Sequence, residues 1–504
     1  MSMPAEHLIT TPTLTELLQG MVDAPDTPIH GISSDSRRLA AGDLFLACAG
    51  QSSHGIDYIE HAVTAGVAAI AWDSSTASRP GCDPDVPMVA VPELAQHLGE
   101  IANRFYDHPS ESVRVFGVTG TNGKTTVAWL IAQCFEMLGD VCGYVGTLGA
   151  GVGEIEGGES MTTPGAIELH DSLAGFRNVG ADYAAVEVSS HALDQNRVDG
   201  IQFDTVLFTN LSRDHLDYHG DMQSYGEAKA RLFLECNAQH RIINLDSEFG
   251  TQLADRFGQD VVTVSTHFDR VANGRPYVFV RSVVAKTTGS HVKVGSSWGD
   301  GEFDLPLPGD FNIANAIIVL ALLLQHGVLF DKACDVLTAV KAPPGRMQEV
   351  DAPDGLPSVY VDYAHTPEAI ELALRALLVH CKGELWCVFG CGGDRDAGKR
   401  PQMGKIAERL AGRIILTSDN SRSEATAEII AGIVKGLSNV ERAIIIEDRA
   451  AAIAWAINAA APADIVLIAG KGHENYQLID GERLDFSDYG AAFANLASLA
   501  EASK

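Results

Sequence analysis

The segment Gly117-Val-Thr-Gly-Thr-Asn-Gly-Lys-Thr-Thr126 constrains this chain more than any other. The apolar run Val113 to Val118 before it reads as a buried strand, and Thr125 to Leu138 after it reads as a helix. A strand, a glycine-rich turn and a helix opening on Lys-Thr together form a phosphate cradle. Backbone N–H groups and the helix N-terminus face the phosphates, the lysine adds a point charge, and a hydroxyl ligates magnesium. The spacing departs from the common form: counting back from Gly123-Lys124, the first glycine would fall at Val118, and the nearest glycines are Gly117 and Gly120. The loop predicts binding of a nucleoside triphosphate and leaves its use open.

A chain of 504 residues exceeds one hydrophobic core, so several domains are expected. Asp and Glu outnumber Lys and Arg by 66 to 36, a net charge of −30 spread along the chain. That excludes wrapping nucleic acid or resting on an anionic membrane, while leaving room for local cationic pockets. The amino terminus lacks the basic-then-apolar pattern of a secretory signal, and the longest apolar run, Ala316 to Leu324, is too short to span a bilayer. Nine dispersed cysteines without a Cys-x-x-Cys pair indicate reduced thiols and a cytoplasmic location. Cys387 and Cys391 read as small strand residues rather than metal ligands.

Three α/β domains are expected. Residues 1–110 form a small unit with a capping box at Thr13-x-x-Glu16 and strands at Asp43–Ala47 and Ala68–Trp72. Residues 111–343 form a central domain of P-loop type, with strands at Tyr183–Val188, Thr205–Thr209 and Ile242–Leu245 alternating with helices around a mainly parallel sheet. A hinge at Pro343-Pro-Gly345 then leads into residues 344–504, a doubly wound, Rossmann-like domain. Its strands are expected at Ser358–Val361, Leu385–Phe389, Arg413–Thr417, Ala443–Ile446 and Asp464–Ile468.

In open α/β sheets ligands gather at the carboxyl ends of strands. Glu187-Val-Ser-Ser-His191 and Thr209-Asn-Leu-Ser-Arg-Asp-His215 occupy such ends near the phosphate loop, which makes Glu187 and His215 candidates for a magnesium site. Lys229, on a helix, reads from its pattern as a surface lysine, and Asn312 and Asn315 as helix-capping residues. After the hinge, Asp362 and His365 follow one strand, and a glycine-rich turn carries Arg395. Asp419-Asn420-Ser421-Arg422 follows another strand, and Gly470-Lys471-Gly-His-Glu474 a third. Arg395, Arg422 and Glu474 on one rim describe a pocket for a zwitterion with more than one carboxylate.

Taken together, Gly120-Thr-Asn-Gly-Lys-Thr-Thr126, Glu187-Val-Ser-Ser-His191, Asp362-Tyr-Ala-His-Thr-Pro367 and the Asp394-Arg-Asp loop resemble the Mur ligase family across nearly the whole chain. Those enzymes are ATP-dependent amino-acid ligases that build the peptide of bacterial peptidoglycan. The resemblance implies addition of meso-2,6-diaminopimelate to UDP-N-acetylmuramoyl-L-alanyl-D-glutamate through an acyl phosphate, by a monomer that uses ATP and Mg2+ and closes about its hinge. It places UDP contacts at Ser34, Ser36, Gln51, Ser52 and Ser53, and sugar-peptide contacts at Thr162, Thr163, Ser189, Gln195 and Arg197. ATP falls to Gly120, Thr121, Asn122, Gly123, Lys124, Thr125, Thr126, Asn315 and Arg346. Magnesium falls to Thr125, Glu187 and His215, and Lys229 matches a lysine carried as a carbamate. Asp362 matches a residue near ATP, and Asp362 and His365 are candidates for deprotonating the incoming amine. The amino acid falls to Arg395, Asp419, Asn420, Ser421, Arg422, Gly470 and Glu474.

Two positions depart from the family pattern: Met161 replaces an asparagine before Thr162-Thr163, and Ser421 replaces a proline. Three rival readings remain: the same ligation with L-lysine, a folylpolyglutamate synthase-like ligase, and a regulatory P-loop ATPase. The long segment before the phosphate loop opposes the second, and the cationic pocket opposes the third. Arg422 bears on the first. Diaminopimelate differs from lysine by a distal carboxylate, which a guanidinium grips through two charge-assisted bonds. Facing an ammonium instead, that arginine would stay unpaired, a mismatch that can reject an analogue by about 10⁴-fold. Arg422→Ala is therefore expected to lose well over tenfold in turnover at limiting diaminopimelate, and wild-type turnover in that assay would remove Arg422 from the site.

Overall fold

The computed structural model describes residues 11–50, 53–78, 85–157, 161–270, 274–286, 288–353 and 355–502. The chain divides into two compact units, the first taking residues 1–124, 135–243 and 247–261, the second residues 125–134, 244–246 and 262–504.

The first unit opens with a parallel sheet of β1 (Gly31–Ser33), β2 (Asp43–Ala47), β3 (Ala69–Asp73) and β4 (Met88–Val91), in that order. Alternation along β2 and β3 splits their side chains between two cores. Leu44, Leu46, Ala69 and Ala71 pack with Leu14, Leu17 and Ile101. Phe45, Ala47, Ile70 and Trp72 pack with Ile59 and Ala62 on the other face. The capping box at Thr13 and Glu16 forms as expected.

Seven further strands of this unit are β5 (Arg114–Thr119), β6 (Cys142–Gly146), β7 (Gly149–Val152), β8 (Glu154–Glu156), β9 (Tyr183–Glu187), β10 (Phe203–Phe208) and β11 (His240–Asn244). Their order is β11-β10-β5-β9-β6-β7-β8. The strands β11, β10, β5, β9 and β6 are parallel, and β7 and β8 add antiparallel strands at the edge. Strand β5 is central, and Val115, Phe116 and Val118 are fully buried there. The phosphate loop thus leaves the middle of the sheet at its carboxyl rim, and the Lys124–Leu138 helix follows.

In the second unit, β12 (Val262–Ser265) pairs in parallel with β13 (Tyr277–Ala285), which continues antiparallel through β14 (Ser290–Ser296) to β15 (Gly299–Leu305). This meander is an addition to the strand–helix alternation expected from the sequence. The apolar run Ala316 to Leu324 lies inside the Asp310–Gln325 helix, and no helix among the described residues is long and apolar enough to cross a membrane. The capping role expected for the two asparagines is not borne out. Gly309 holds the N-cap position without a side-chain cap, while Asn312 and Asn315 are buried inside the helix. Asn312 Nδ2 donates to the Pro308 carbonyl, and Asn315 Nδ2 to Asn312 Oδ1.

The remaining strands are β16 (Gln348–Glu349), β17 (Ser358–Asp362), β18 (Leu385–Phe389), β19 (Arg413–Leu416), β20 (Ala443–Ile445) and β21 (Ile465–Ala469). Their order is β16-β17-β21-β18-β19-β20, parallel except for β16. A hairpin of β22 (Tyr476–Ile479) and β23 (Glu482–Asp485) follows. Here alternation shows double winding directly. Leu385, Cys387, Phe389, Ile414, Leu416 and Leu467 face a core with Ile370, Leu374, Met403 and Ile430. Trp386, Val388, Ile415, Val466 and Ile468 face a second core with Ile453, Ile457 and Leu496. Complete burial of each such side chain contributes roughly 1.5–3 kcal/mol, so neither face of this sheet can be left open to solvent.

Candidate active site

The phosphate loop is held by its own backbone geometry and by the end of β10. Gly120 has a φ of 150° and lies so close to Thr209 Oγ1 that a Cβ there would collide with it, so only glycine fits. Thr209 Oγ1 donates to the Asn122 carbonyl at 2.6 Å, and Asn210 both accepts from the Asn122 N–H and donates back to its carbonyl. Gly123, in the left-handed region, takes the N-cap position, and Lys124 to Thr126 open the helix. Thr121, Thr125 and Thr126 are buried. Sequence reasoning missed Thr209 and Asn210 as loop supports, because nothing local marks them.

Two lysines meet at one carbonyl. Lys124 Nζ donates to Gly120 O at 3.0 Å and to Thr121 O at 2.9 Å, and Lys229 Nζ donates to Gly120 O at 2.8 Å. Lys229 is 1% exposed, which overturns its reading as a surface lysine. It lies on the inner face of the Met222–Leu234 helix, 4.5 Å from the centre of the Tyr225 ring. Burial, and then the neighbouring Lys124 charge, push its pKa well below the ordinary lysine value.

Glu187 ends β9 and is fully buried. Its Oε1 accepts from Tyr144 Oη at 2.5 Å and the Thr147 N–H at 2.9 Å, and its Oε2 accepts from Thr147 Oγ1 at 3.2 Å. Tyr144 and Thr147 come from the adjacent β6 and its exit, and no sequence spacing points to them. From Glu187 a bonded chain runs outward. Thr163 Oγ1 donates to the Glu187 carbonyl and accepts from the Ser189 N–H, and Thr147 Oγ1, its own proton on Glu187, accepts from Thr162 Oγ1 at 3.2 Å. Arg197 reaches the Thr163 carbonyl at 2.9 Å and Gln195 Oε1 at 3.0 Å. The structure therefore brings Thr162, Thr163, Ser189, Gln195 and Arg197 together beside Glu187.

His215 stands in the left-handed region, its side chain half exposed beside Asp214. Its ring centre is 4.9 Å from that of His191, which in turn lies 5.5 Å from His219. Burial lowers the pKa of both His191 and His219, and mutual repulsion within the histidine cluster adds to it. Among the described residues no group of three His, Cys, Asp or Glu side chains stands ready to hold a metal alone. One buried carboxylate and a hydroxyl beside a phosphate loop fit magnesium, which takes few protein ligands and completes its shell with phosphate oxygens and water.

In the amino-terminal sheet, Ser34 is exposed after β1, and Ser36 opens a short turn capped by Asp35. The Arg37 side chain, bonded to Asp35, holds that carboxyl at about 2. Ser53 accepts from Tyr58 Oη at 3.3 Å. Gln51 and Ser52 lie outside the described residues.

The second unit builds a separate constellation. Both Asp362 oxygens accept backbone N–H groups, from Met347 at 2.7 Å and Ala364 at 2.8 Å, so this carboxylate shapes the loops beside it. Burial raises its pKa against the pull of Arg346 and those amides. The Arg346 guanidinium lies over the Tyr363 ring at 4.5 Å. His365 is exposed, with Nδ1 at 2.9 Å from the Tyr363 carbonyl, while Lys399 Nζ donates to the His365 carbonyl at 2.8 Å.

Asp419, Asn420 and Ser421 are buried past the end of β19. Asn420 Nδ2 donates to Glu474 Oε2 at 2.8 Å, and Lys471 Nζ bridges the same oxygen and Asn420 Oδ1. Arg422 has a φ of 54°, exchanges backbone bonds with Leu478 and Asp480, and anchors Nη1 on the Gly393 carbonyl at 2.8 Å. Gly470, at φ 119°, passes against Asp419, where a Cβ would not fit. Arg422 and Glu474 thus sit on joined loops, and Arg395 is exposed on a third, tied to them by the Gly393 N–H on the Asn420 carbonyl at 2.9 Å. The cation that steadies that loop is Arg400, buried and forked onto Glu424, a pair the sequence did not single out.

His473 lies in this constellation with Nδ1 buried and unpartnered among the described residues. Burial and the Arg346 charge lower its pKa to about 4. An unfolded chain binds a proton there as pH falls through about 6.5, while the folded chain does not until about 4. The associated stability is complete above pH 6.5 and is lost as pH falls towards 4. Replacing His473 with asparagine is expected to shrink the loss of urea stability between pH 7 and pH 5 by roughly 2 kcal/mol. An unchanged slope would show that the imidazole protonates freely in the fold.

Residues 28–106 match the Mur ligase family catalytic domain, residues 118–323 the Mur ligase middle domain, and residues 345–472 the Mur ligase glutamate ligase domain. The chain is 43% identical over 92% of its length to UDP-N-acetylmuramoyl-L-alanyl-D-glutamate–2,6-diaminopimelate ligase of Haemophilus influenzae (strain PittEE), covering 95% of that protein. A solved structure of a ligase with the same description superposes with a TM-score of 0.70 at 32% identity, covering 97% of this chain and 100% of the other. MurF ligase from Thermotoga maritima in complex with ADP shares the fold, with a TM-score of 0.62 at 15% identity over 94% of this chain and 99% of the other. The chain belongs to the Mur ligase family.

Proposed function

We propose that this protein is an ATP-dependent amide ligase that adds meso-2,6-diaminopimelate to UDP-N-acetylmuramoyl-L-alanyl-D-glutamate in peptidoglycan precursor synthesis. The observation that carries the choice of amino acid is Arg422. Its Nη1 is anchored on Gly393, which directs the guanidinium from a loop bonded to Asn420, Lys471 and Glu474. That set offers a cation to a distal carboxylate and a carboxylate to an ammonium, which suits diaminopimelate better than lysine. The relatives described as diaminopimelate ligases support the same reading.

The γ-phosphoryl group of ATP passes to the side-chain carboxylate of the D-glutamyl residue, leaving ADP. The amine of diaminopimelate attacks the resulting acyl phosphate, loses a proton, and expels inorganic phosphate as the amide forms. Lys124 and the loop amides from Gly120 to Gly123 hold the phosphates, and the lysine charge offsets the negative charge that builds during transfer. Thr125, Glu187 and His215 are the residues assigned to magnesium, which supplies charge neutralisation when bound. Thr162, Thr163, Ser189, Gln195 and Arg197 hold the sugar-peptide beside Glu187, and Ser34, Ser36 and Ser53 its uridine end. The resemblance alone gives Asn315 and Arg346 to the nucleotide. His365, exposed beside Arg346 and Tyr363, is a better acceptor for the amine proton than Asp362, whose oxygens are both engaged. The domains are assigned to residues 1–110, 111–343 and 344–504, and the protein to the cytoplasm as a monomer.

Lys229 is assigned as a carbamate. Burial and the Lys124 charge favour its neutral amine, the form that adds carbon dioxide with loss of a proton. The product is an anion where two like charges otherwise crowd Gly120. After incubation with ¹³C-bicarbonate, the wild-type protein is expected to show a carbamate carbon resonance that Lys229→Met lacks, with turnover falling more than tenfold. Identical spectra would refute the modification.

The reading as a whole is tested by phosphate release with UDP-muramoyl-dipeptide and ATP, each amino acid being supplied alone. Release with diaminopimelate and little with lysine is expected. Release with neither, or ATP turnover without any acceptor, would overturn it.

A further inference from the structure

Arg449 is 1% exposed, and Asp488 is fully buried. Arg449 opens the Arg449–Ala459 helix, and Asp488 opens the Asp488–Ala502 helix. The two form a fork, with Arg449 Nε and Nη2 each 2.7 Å from an Asp488 oxygen. The same guanidinium also donates Nη1 to the Ser418 carbonyl at 2.9 Å and Nη2 to the Ala469 carbonyl at 3.0 Å. Four of its five N–H bonds are thereby used.

The two carbonyls mark where the effect falls. Ser418 immediately precedes Asp419-Asn420-Ser421-Arg422, and Ala469 immediately precedes Gly470-Lys471-Gly-His-Glu474. Those loops leave β19 and β21, which are not neighbours, since β18 lies between them. One planar side chain therefore spans the intervening strand and fixes the bases of both loops, while Asn420, Lys471 and Glu474 join them above. A buried ion pair is a weak source of net stability, because desolvation cancels most of the attraction. What this pair supplies that apolar packing could not is a fixed separation between two loop bases.

We propose that Arg449 and Asp488 are positioning residues for the amino-acid site, setting the spacing at which Arg422 and Glu474 meet a carboxylate and an ammonium of the incoming amino acid. The inference rests on the reading that these loops bind diaminopimelate. It is independent of how ATP or the sugar-peptide is held, since among the described residues neither is bonded to a group assigned to them.

The test is Arg449→Lys, which keeps the charge but loses the planar fork. Its KM for diaminopimelate is expected to rise at least tenfold, with KM for ATP and for the UDP-muramoyl-dipeptide staying within twofold of wild type. An unchanged KM for diaminopimelate, or three constants rising together, would overturn the proposal. Where that variant does not fold, Arg449→Met/Asp488→Leu removes both charges and keeps apolar volume. The same selective rise is expected, and its absence has the same meaning. The wild-type control separates the two levels. A wild type that does not use diaminopimelate refutes the assigned reaction, whereas one that does, beside a variant with an unaltered KM, refutes only the positioning role.

Discussion

A parallel strand covered on both faces has only its ends free to meet a ligand, and this constraint organises the whole protein. Strands β18, β19 and β21 give alternate side chains to two separate cores, so neither face can carry chemistry. The same holds for β2 and β3 in the amino-terminal sheet. Most residues assigned a role in the reaction lie at or past the carboxyl end of a strand; Arg346, just before β16, and Lys229, on the Met222–Leu234 helix, do not. Gly120 follows β5, Glu187 ends β9, Thr209 follows β10, Asp419 follows β19 and Gly470 follows β21.

Charge buried at these rims is partnered, and the partners decide what each group can do. Glu187 is oriented by Tyr144 and Thr147. Asp362 has both oxygens taken by amides and so acts on loop shape. Lys471 is bound to Glu474 and Asn420, and Arg449 to Asp488. Lys229 differs, because it meets a carbonyl, the Tyr225 ring and a second lysine. A buried cation so placed is under pressure to become neutral, which is the condition the proposed carbamate requires.

The strand positions and the phosphate loop were legible because they depend on local pattern. Asp43–Ala47 and Leu385–Phe389 fall where the apolar runs placed them, and the other expected strands shift by one or two residues. The antiparallel strands β13 to β15 lay outside that reading, since it followed only the alternation of strand and helix. Lys229 and the two asparagines were misjudged for one reason. A polar residue on a helix is presumed to face water unless something distant covers it, and here other segments of the fold cover all three.

The sequence by itself determined that a glycine-rich loop joins a buried strand to a helix opening on Lys124, that a doubly wound sheet follows Pro343-Pro-Gly345, and that Arg422 stands at a strand end. Each of these follows from residues adjacent in the chain, where spacing and side-chain type carry the information. Only the tertiary structure decided which groups act together. It joined Tyr144 to Glu187 across neighbouring strands, set Lys229 against Gly120, and bonded the loop of the exposed Arg395 to that of Arg422 through Gly393 and Asp394. It also placed Arg449 and Asp488 beneath those loops. These contacts link residues far apart in the sequence, and their strength comes from burial, which no local pattern records.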